Sequence, residues 1–382
     1  MEEKKKKLIR VTTSDISLEL LLKGQLRFLN NYYEVVGVAA NTGLLKGVAK
    51  REGIRVVELS MRREISPRRD IACLLYFIRL FQKEKPYIVH ANTPKGSLLA
   101  MMAAWIMRVP NRIYTVTGLR YQGSQGKGRT VLKLMERLTC ALATKVIPEG
   151  EGVKATLIAD GITKKPLQVV HHGNINGINT SHFSPDACKY SREVMRRKID
   201  INPDEFTFIF IGRIVKDKGM NELARAMRRL NEEGHHCKLI LVGWFEKEQD
   251  RMEEDNEYFF MYDESVRYVG YQKDVRSYLL AADALVFPSY REGFPHVVME
   301  AGAMGLPSIV TDINGCNEII VDGENGRIIP PRDKDALLQM MRHFLDHPDE
   351  VRQMAAKARP MIASRYEHDD VVNALLQMYN SL

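Results

Sequence analysis

Two carboxylates and two cations are spaced in this chain as a phosphorylated sugar would require. In "YREGFPHVVMEAGAMGLPSIVTD" (290–312), Glu292 and Glu300 lie eight residues apart around a loop that Gly293 and Pro295 keep irregular. A short apolar helix is expected from His296. Its first amides have no intrahelical partner, so the N–H groups of Gly293, Phe294, His296 and Val297 could meet an anion or sugar oxygens. Pro295 has no N–H and only shapes the turn. One carboxylate accepts two hydroxyl hydrogen bonds, which is what a vicinal diol offers. Glu292 and Glu300 would then read a hexose on one side and a ribose on the other. The competing reading leaves Glu300 facing the helix dipole and Glu292 solvated. Upstream, "GRIVKDKG" (212–219) follows an apolar run with Gly212, Arg213 and Lys218. Two cations at a strand end, with a helix opening near Gly219, suit a diphosphate. The alternative is a surface turn with ordinary charges.

Such residues need strand ends to hold them. Apolar runs at 8–13, 33–40, 54–59, 87–92, 112–117, 144–148 and 167–172 alternate with helical patterns at 17–30, 68–83, 96–108 and 129–143. This predicts a doubly wound parallel sheet. A Gly-, Asn- and Pro-rich stretch at 171–187 reads as a linker. A second series of strands, at 206–214, 237–244, 266–270, 284–289, 307–312 and 326–330, alternates with helices at 219–233, 274–282, 296–304, 315–321 and 333–346. A last helix is expected near 367–381. The fold class is therefore α/β, with two Rossmann-like domains, and ligands are expected in a central cleft beyond the carboxyl ends of the strands. A chain of 382 residues fits two domains.

Composition narrows the function classes. The net charge is +8, but residues 1–180 carry 30 Lys and Arg against 14 Asp and Glu, whereas residues 181–382 carry 26 against 34. A basic half suits an anionic membrane, a phosphorylated substrate or nucleic acid. The cluster "MRREISPRRD" (61–70) precedes "IACLLYFIRLF", and a helix with basic and apolar faces would lie in a lipid interface. The other reading packs that helix on its own sheet. Five cysteines without a C-x-x-C pair fit inert core thiols. The charged start has no apolar h-region behind it, and "SLLAMMAAWIM" (97–107) is too short to span a bilayer. "DKD" (333–335) mimics a metal-binding pair but opens a helix, where capping explains it. "GSQGKGRT" (123–130) lacks phosphate-loop spacing. No metal cluster is visible, and no metal or other cofactor is expected.

The stretch from "REGFPHVVMEAGAMGLPSIVTD" to "GRIIPP" resembles the E-x7-E region of retaining family 4 glycosyltransferases, which have the GT-B fold. "GRIVKDKGMNELARAM" resembles their diphosphate-binding segment, and "VRYVGYQKDVRSYLLAADALVFPS" their base-binding segment. "HANTPKGSLLAMMAAWIMRVPNRIYTVTGLRY" is similar to the acceptor domain of a capsule and lipopolysaccharide subgroup. The resemblance implies an acceptor domain of residues 1–175, joined by a C-terminal helix at 366–382, and a donor domain of residues 176–365. It implies that Arg213 and Lys218 stabilise the leaving diphosphate, that Glu292 meets the transferred sugar and Glu300 the ribose, and that Gly270, Tyr271 and Val275 frame the base. Acceptor-side candidates are Thr12, Ser14, Asp15, Lys23, His90 and Thr117. The family pattern often has His where this chain has Thr117, and Thr cannot do acid–base work at neutral pH. His90 also reads as a structural residue, and His171, His172 and His296 are weaker candidates for the missing imidazole.

The implied activity is retaining transfer of a hexose or N-acetylhexosamine from a nucleotide sugar, UDP-linked by family usage, to a polyprenyl-diphosphate-linked or glycan acceptor. The enzyme would act at the inner face of the cytoplasmic membrane, bound peripherally to its anionic surface. The alternatives are a UDP-N-acetylglucosamine 2-epimerase or phosphorylase on the same fold, and a basic nucleic-acid-binding protein. The last leaves the paired glutamates unexplained, and no nucleic-acid motif is present.

Overall fold

The computed structural model describes residues 5–61, 66–246 and 250–382. It divides into two units, residues 1–177 with 369–382, and residues 178–368.

The first unit runs β1 (Lys7–Ser14), α1 (Asp15–Leu21), α2 (Gln25–Asn30), β2 (Glu34–Ala40), α3 (Leu45–Glu52), β3 (Arg55–Glu58), α4 (Pro67–Glu84), β4 (Ile88–Ala91), α5 (Pro94–Ile106), β5 (Asn111–Val116), α6 (Gly126–Leu142), β6 (Lys145–Pro148) and α7 (Glu151–Ala159). Its six strands are parallel in the order β3-β2-β1-β4-β5-β6, so the winding reverses between β1 and β4. The strands are apolar on both faces because helices cover both. One core lies beneath α4, α5 and α6, and another beneath α1 to α3.

The second unit continues with α8 (Arg192–Lys198), β7 (Phe206–Ile214), α9 (Met220–Glu232), β8 (Cys237–Phe245), α10 (Glu254–Tyr262), β9 (Val266–Gly270), α11 (Arg276–Ala281), β10 (Ala284–Phe287), α12 (His296–Ala303), β11 (Ser308–Thr311), α13 (Cys316–Ile319), β12 (Gly326–Ile329), α14 (Lys334–Asp346) and α15 (Pro348–Tyr366). Its parallel sheet is ordered β12-β11-β10-β7-β8-β9, with the reversal between β10 and β7. The chain then returns to the first unit as α16 (His368–Asn380), which buries Leu375, Leu376 and Tyr379.

Three sequence expectations are corrected. The helix expected over 17–30 is two helices, because Gly24 at φ 84 breaks it. No strand forms over 167–172. Leu167 makes a lone bridge to Val146, and a turn closed by the Gly173 N–H to the Val170 carbonyl, with His171 at φ 54, leads the chain off the sheet edge. The 19-residue α15 was not expected, because Pro360 hides it. It holds by packing on α12, where Gly302 leaves room for Ile362.

Candidate active site

In an open α/β sheet a ligand site forms where the winding reverses, beyond the carboxyl ends of the two diverging strands. In the second unit those strands are β7 and β10. The turn after β7 carries Lys218 and the loop after β10 carries Glu292, and the two form an ion pair. Both side chains are largely buried, at 16% and 17% exposure. The Ser289 hydroxyl donates to the same carboxylate oxygen at 2.8 Å, and the Lys218 ammonium lies 5.6 Å from the centre of the Phe287 ring. The reversal point thus holds a fixed cation with a carboxylate beside it.

Local backbone fixes this arrangement. Gly219, at φ 71, turns the chain into α9, and a Cβ there would collide with the Pro288 carbonyl. The Tyr290 N–H donates to the Asp217 carbonyl at 2.9 Å, and the Thr311 hydroxyl donates to the Ser289 carbonyl. Across the loop, a Cβ on Gly315 would come within 2.6 Å of the Gly293 carbonyl oxygen. The 288–295 loop is therefore held on both sides before it enters α12.

The helix begins at His296, with Pro295 as its N-cap residue. Phe294 is buried, its ring edge-on against Tyr366. Val297 is partly buried in the first turn, at the helix end that favours anions, and Glu300 is partly buried one turn further in. Burial holds the His296 imidazole down, to about 4, so the ring is neutral at physiological pH. Beneath the pair, burial pushes the Cys316 thiol well up, with the Glu292 charge adding to it, and the thiol is inert.

Arg213 differs from Lys218. It sits on β7 opposite Trp244 of β8, is 43% exposed, and donates to Glu246 at 2.6 Å. Gly212 precedes it in contact with Gly243. Further along the same edge, exposed Trp244 and Tyr271 meet edge to face, with centroids 5.7 Å apart. Tyr271 follows Gly270, whose φ of 68 ends β9, and Val275 precedes α11. Sequence reasoning named Tyr271 and missed Trp244. The signal was an aromatic residue at the end of an otherwise apolar strand.

In the first unit the reversal lies between β1 and β4. The Thr13 N–H donates to the Thr93 hydroxyl at 2.7 Å, and the Gly96 N–H to the Thr13 hydroxyl at 3.2 Å, tying the start of α5 to β1. Asp15 holds the turn at Thr42 and Leu44. Burial raises its carboxyl, but the N–H groups of Thr42 and Leu44 and the Thr42 hydroxyl hold it below its ordinary value. Thr12 is buried and donates to the Ser14 carbonyl, and Lys23 is exposed in the α1–α2 turn. Ser14 is nearly buried at the end of β1. Thr117 is half-buried and donates to the Asn92 carbonyl at 2.9 Å.

His90 is likewise structural. Its ring is buried, with Nε2 2.7 Å from the Thr115 hydroxyl and Nδ1 2.5 Å from the Tyr379 hydroxyl. Fully buried Arg10 joins it, donating to Tyr379 and Asn92 at 2.9 Å each. Burial and the adjacent guanidinium keep His90 well below its ordinary value, so it stays neutral. The Asp333 carboxylate of "DKD" caps the N–H groups of Asp335 and Ala336. Part of the 61–70 basic cluster, Arg62 and Arg63, and the first four residues lie outside the described residues. Among the described residues no helix is long and apolar enough to cross a membrane.

Residues 191–361 match the family model for glycosyl transferases group 1, and residues 14–149 that for glycosyl transferase 4-like domains. The chain is 30% identical over 379 residues to the capsular polysaccharide biosynthesis glycosyltransferase CapM of Staphylococcus aureus, covering 99% of this chain and 98% of that protein. It is 26% identical to the UDP-Gal:alpha-D-GlcNAc-diphosphoundecaprenol alpha-1,3-galactosyltransferase of Escherichia coli, over 77% of this chain and 75% of that one. The crystal structure of Anabaena HepE with UDP and glucose superposes with a TM-score of 0.83 at 17% identity, over 99% of this chain and 100% of that one, and so shares its GT-B fold.

Proposed function

Because this chain belongs to the group 1 glycosyltransferases, we propose that it transfers one hexose or N-acetylhexosamine from a UDP-sugar to a lipid-diphosphate-linked glycan, with retention at the anomeric carbon. The observation that carries this reading is the Lys218–Glu292 pair at the β7–β10 reversal, a cation and a hydroxyl-reading carboxylate fixed side by side.

As the anomeric C1–O bond breaks, its electron pair moves onto the diphosphate. Charge grows there, and a fixed ammonium lowers the barrier most where charge grows most. Lys218 supplies that cation, and Arg213 a second, more exposed one. The acceptor hydroxyl attacks C1 from the face the diphosphate leaves, and its proton passes to the departing phosphate oxygen. No protein base is then needed, which suits a second unit in which His296 is neutral and a first unit in which His90 is sealed in the core. The Glu292 oxygen not shared by Lys218 and Ser289 would take a sugar hydroxyl, and Glu300 the ribose diol. UDP as donor is supported by the HepE complex with UDP and glucose, and a lipid-diphosphate acceptor by the substrate named for the Escherichia coli relative. Capsule or related surface polysaccharide is the pathway class that the Staphylococcus aureus relative supports.

A thermal-shift screen of nucleotide sugars, followed by transfer assays on prenyl-diphosphate glycans, tests the proposal. One UDP-sugar should raise Tm and donate its sugar. Interconversion of the sugar without an acceptor would instead identify an epimerase.

A further inference from the structure

Tyr290 stands two residues before Glu292, and the proposed transfer gives its side chain no part. The ring is half-buried, and its hydroxyl donates at 2.7 Å to Glu222 in the first turn of α9. Burial, with the Glu222 charge beside it, pushes the phenol well up, so the group stays protonated and goes on donating. The other Glu222 carboxylate oxygen is buried without a hydrogen-bond partner among the described residues. An unsatisfied buried oxygen is destabilising, so this hydrogen bond is kept against the stability of its surroundings.

The face of the ring carries a second restraint. The Arg332 guanidinium, just past β12, lies 4.8 Å from the ring centre, a cation–π contact. Arg332 sits at φ 63, in the left-handed region that disfavours any residue with a side chain. Asp250 is strained in the same way, at φ 57, and its carboxylate accepts the Asp217 N–H at 2.7 Å. Asp217 in turn takes the Tyr290 N–H on its carbonyl and pairs through its carboxylate with Arg291. Two left-handed residues thus brace the loop that carries Glu292 and the turn that carries Lys218. Strain of this kind persists where the surroundings impose it, and it gathers at sites that must hold a geometry.

We propose that Tyr290 is the positioning residue for Glu292, clamped by Glu222 and Arg332 so that the carboxylate two residues on is held at the sugar hydroxyl while the bond to the diphosphate breaks. The inference rests on the proposed function, which gives Glu292 its substrate. Tyr290 touches no reacting atom and acts through the loop. Free nucleotide does not use Glu292, so a loosened clamp leaves its binding unaffected. Turnover slows, because a small misplacement weakens a contact that tightens in the transition state.

Variants test it, with kcat, KM, UDP affinity by calorimetry and Tm measured on each. Tyr290→Phe keeps the ring under Arg332 and removes only the hydroxyl. It should lower kcat by about tenfold or more, with UDP affinity within about twofold of wild type. Tyr290→Phe with Glu222→Leu removes donor and acceptor together, so no buried group is stranded and Tm should return towards wild type. Its turnover should stay as low as in Tyr290→Phe. Glu222→Gln still accepts the hydroxyl and should recover most of what Glu222→Leu loses. Arg332→Gly relieves the left-handed residue, so Tm should hold while kcat falls. Turnover that recovers with Tm in the double variant overturns the proposal, because the pair would then serve stability alone. So does a loss of UDP affinity in Tyr290→Phe equal to the loss of turnover. Amide exchange read by mass spectrometry needs no substrate. The 288–295 loop should exchange at least about fivefold faster in Tyr290→Phe, with β7 and β8 unchanged, and a loop that exchanges as in wild type overturns the clamp. Faster exchange confined to the loop, in a protein that transfers no sugar to any acceptor, would support the clamp and sink only the proposed function.

Discussion

Lys218→Ala and Arg213→Ala should differ, and the structure sets by how much. A unit charge about 4 Å from a phosphate oxygen interacts by about 4 kcal/mol at an effective permittivity near 20, and by about 1 kcal/mol in a water-like surround. Lys218 is 16% exposed, held over Phe287 and beside Glu292 and Ser289, so it belongs near the first limit. Arg213 is 43% exposed and shared with Glu246, so it belongs near the second. Since each tenfold in rate is about 1.4 kcal/mol, Lys218→Ala should lower turnover by about 10²- to 10³-fold and Arg213→Ala by about fivefold to tenfold. Because the charge grows in the transition state, the Lys218 effect should fall on kcat more than on KM. Lys218→Arg should restore part of the loss. The assay is steady-state nucleoside diphosphate release with saturating acceptor, with Tm measured on each variant to confirm folding. Equal losses in the two variants, or a wild-type rate in Lys218→Ala, would refute the burial argument and the diphosphate assignment with it.

Three further outcomes are expected. Glu292→Ala should weaken binding of a UDP-sugar while leaving UDP nearly untouched, whereas Glu300→Ala should weaken both; calorimetry giving one profile for the two variants would end that division of labour. His296 is held down to about 4 in the folded chain against an ordinary 6.5, so it costs nothing above pH 6.5, and the unfolded chain binds the proton first as pH falls. Its share of stability, on the order of 3 kcal/mol, should therefore drain away between pH 6.5 and 4. A urea series across that window should show a shallower fall in His296→Asn, and identical slopes would refute the burial. Trp244→Ala should weaken UDP binding by about tenfold if the ring stacks on the base, and in a Trp105→Phe background UDP should quench the remaining Trp244 fluorescence; unchanged emission on a nucleotide that calorimetry shows to bind would take Trp244 out of the site.

Local signals were legible in the amino-acid order, and distant ones were not. The alternation of short apolar runs with helical periodicity located both sheets, since parallel strands covered on both faces leave an unbroken apolar record. Gly293, Pro295 and the residues around Glu300 marked the start of α12 because turn chemistry is local. What could not be read was pairing across the chain. Lys218 meets Glu292 from 74 positions away, and Arg10 meets Tyr379 from 369 away. For the same reason the partners of His90 and Asp15, Thr115 and Tyr379 for the one and Thr42 for the other, could not be read from the order. The α4 helix shows a subtler limit. Periodicity offered a core face or a membrane face; the helix buries Phe77 and Phe81 and also exposes Ile71 and Leu75, because apolar residues lie on opposite sides of one cylinder.

The most direct measurement pairs purified protein with a UDP-sugar and a prenyl-diphosphate-linked glycan, and follows the lipid by mass spectrometry and the new bond by NMR. The account predicts a lipid product heavier by one sugar residue, equimolar UDP, an anomeric configuration matching the donor, and product and UDP formed about 10²- to 10³-fold more slowly in Lys218→Ala. UDP release with only free sugar, a product of inverted configuration, or full transfer by Lys218→Ala would contradict it.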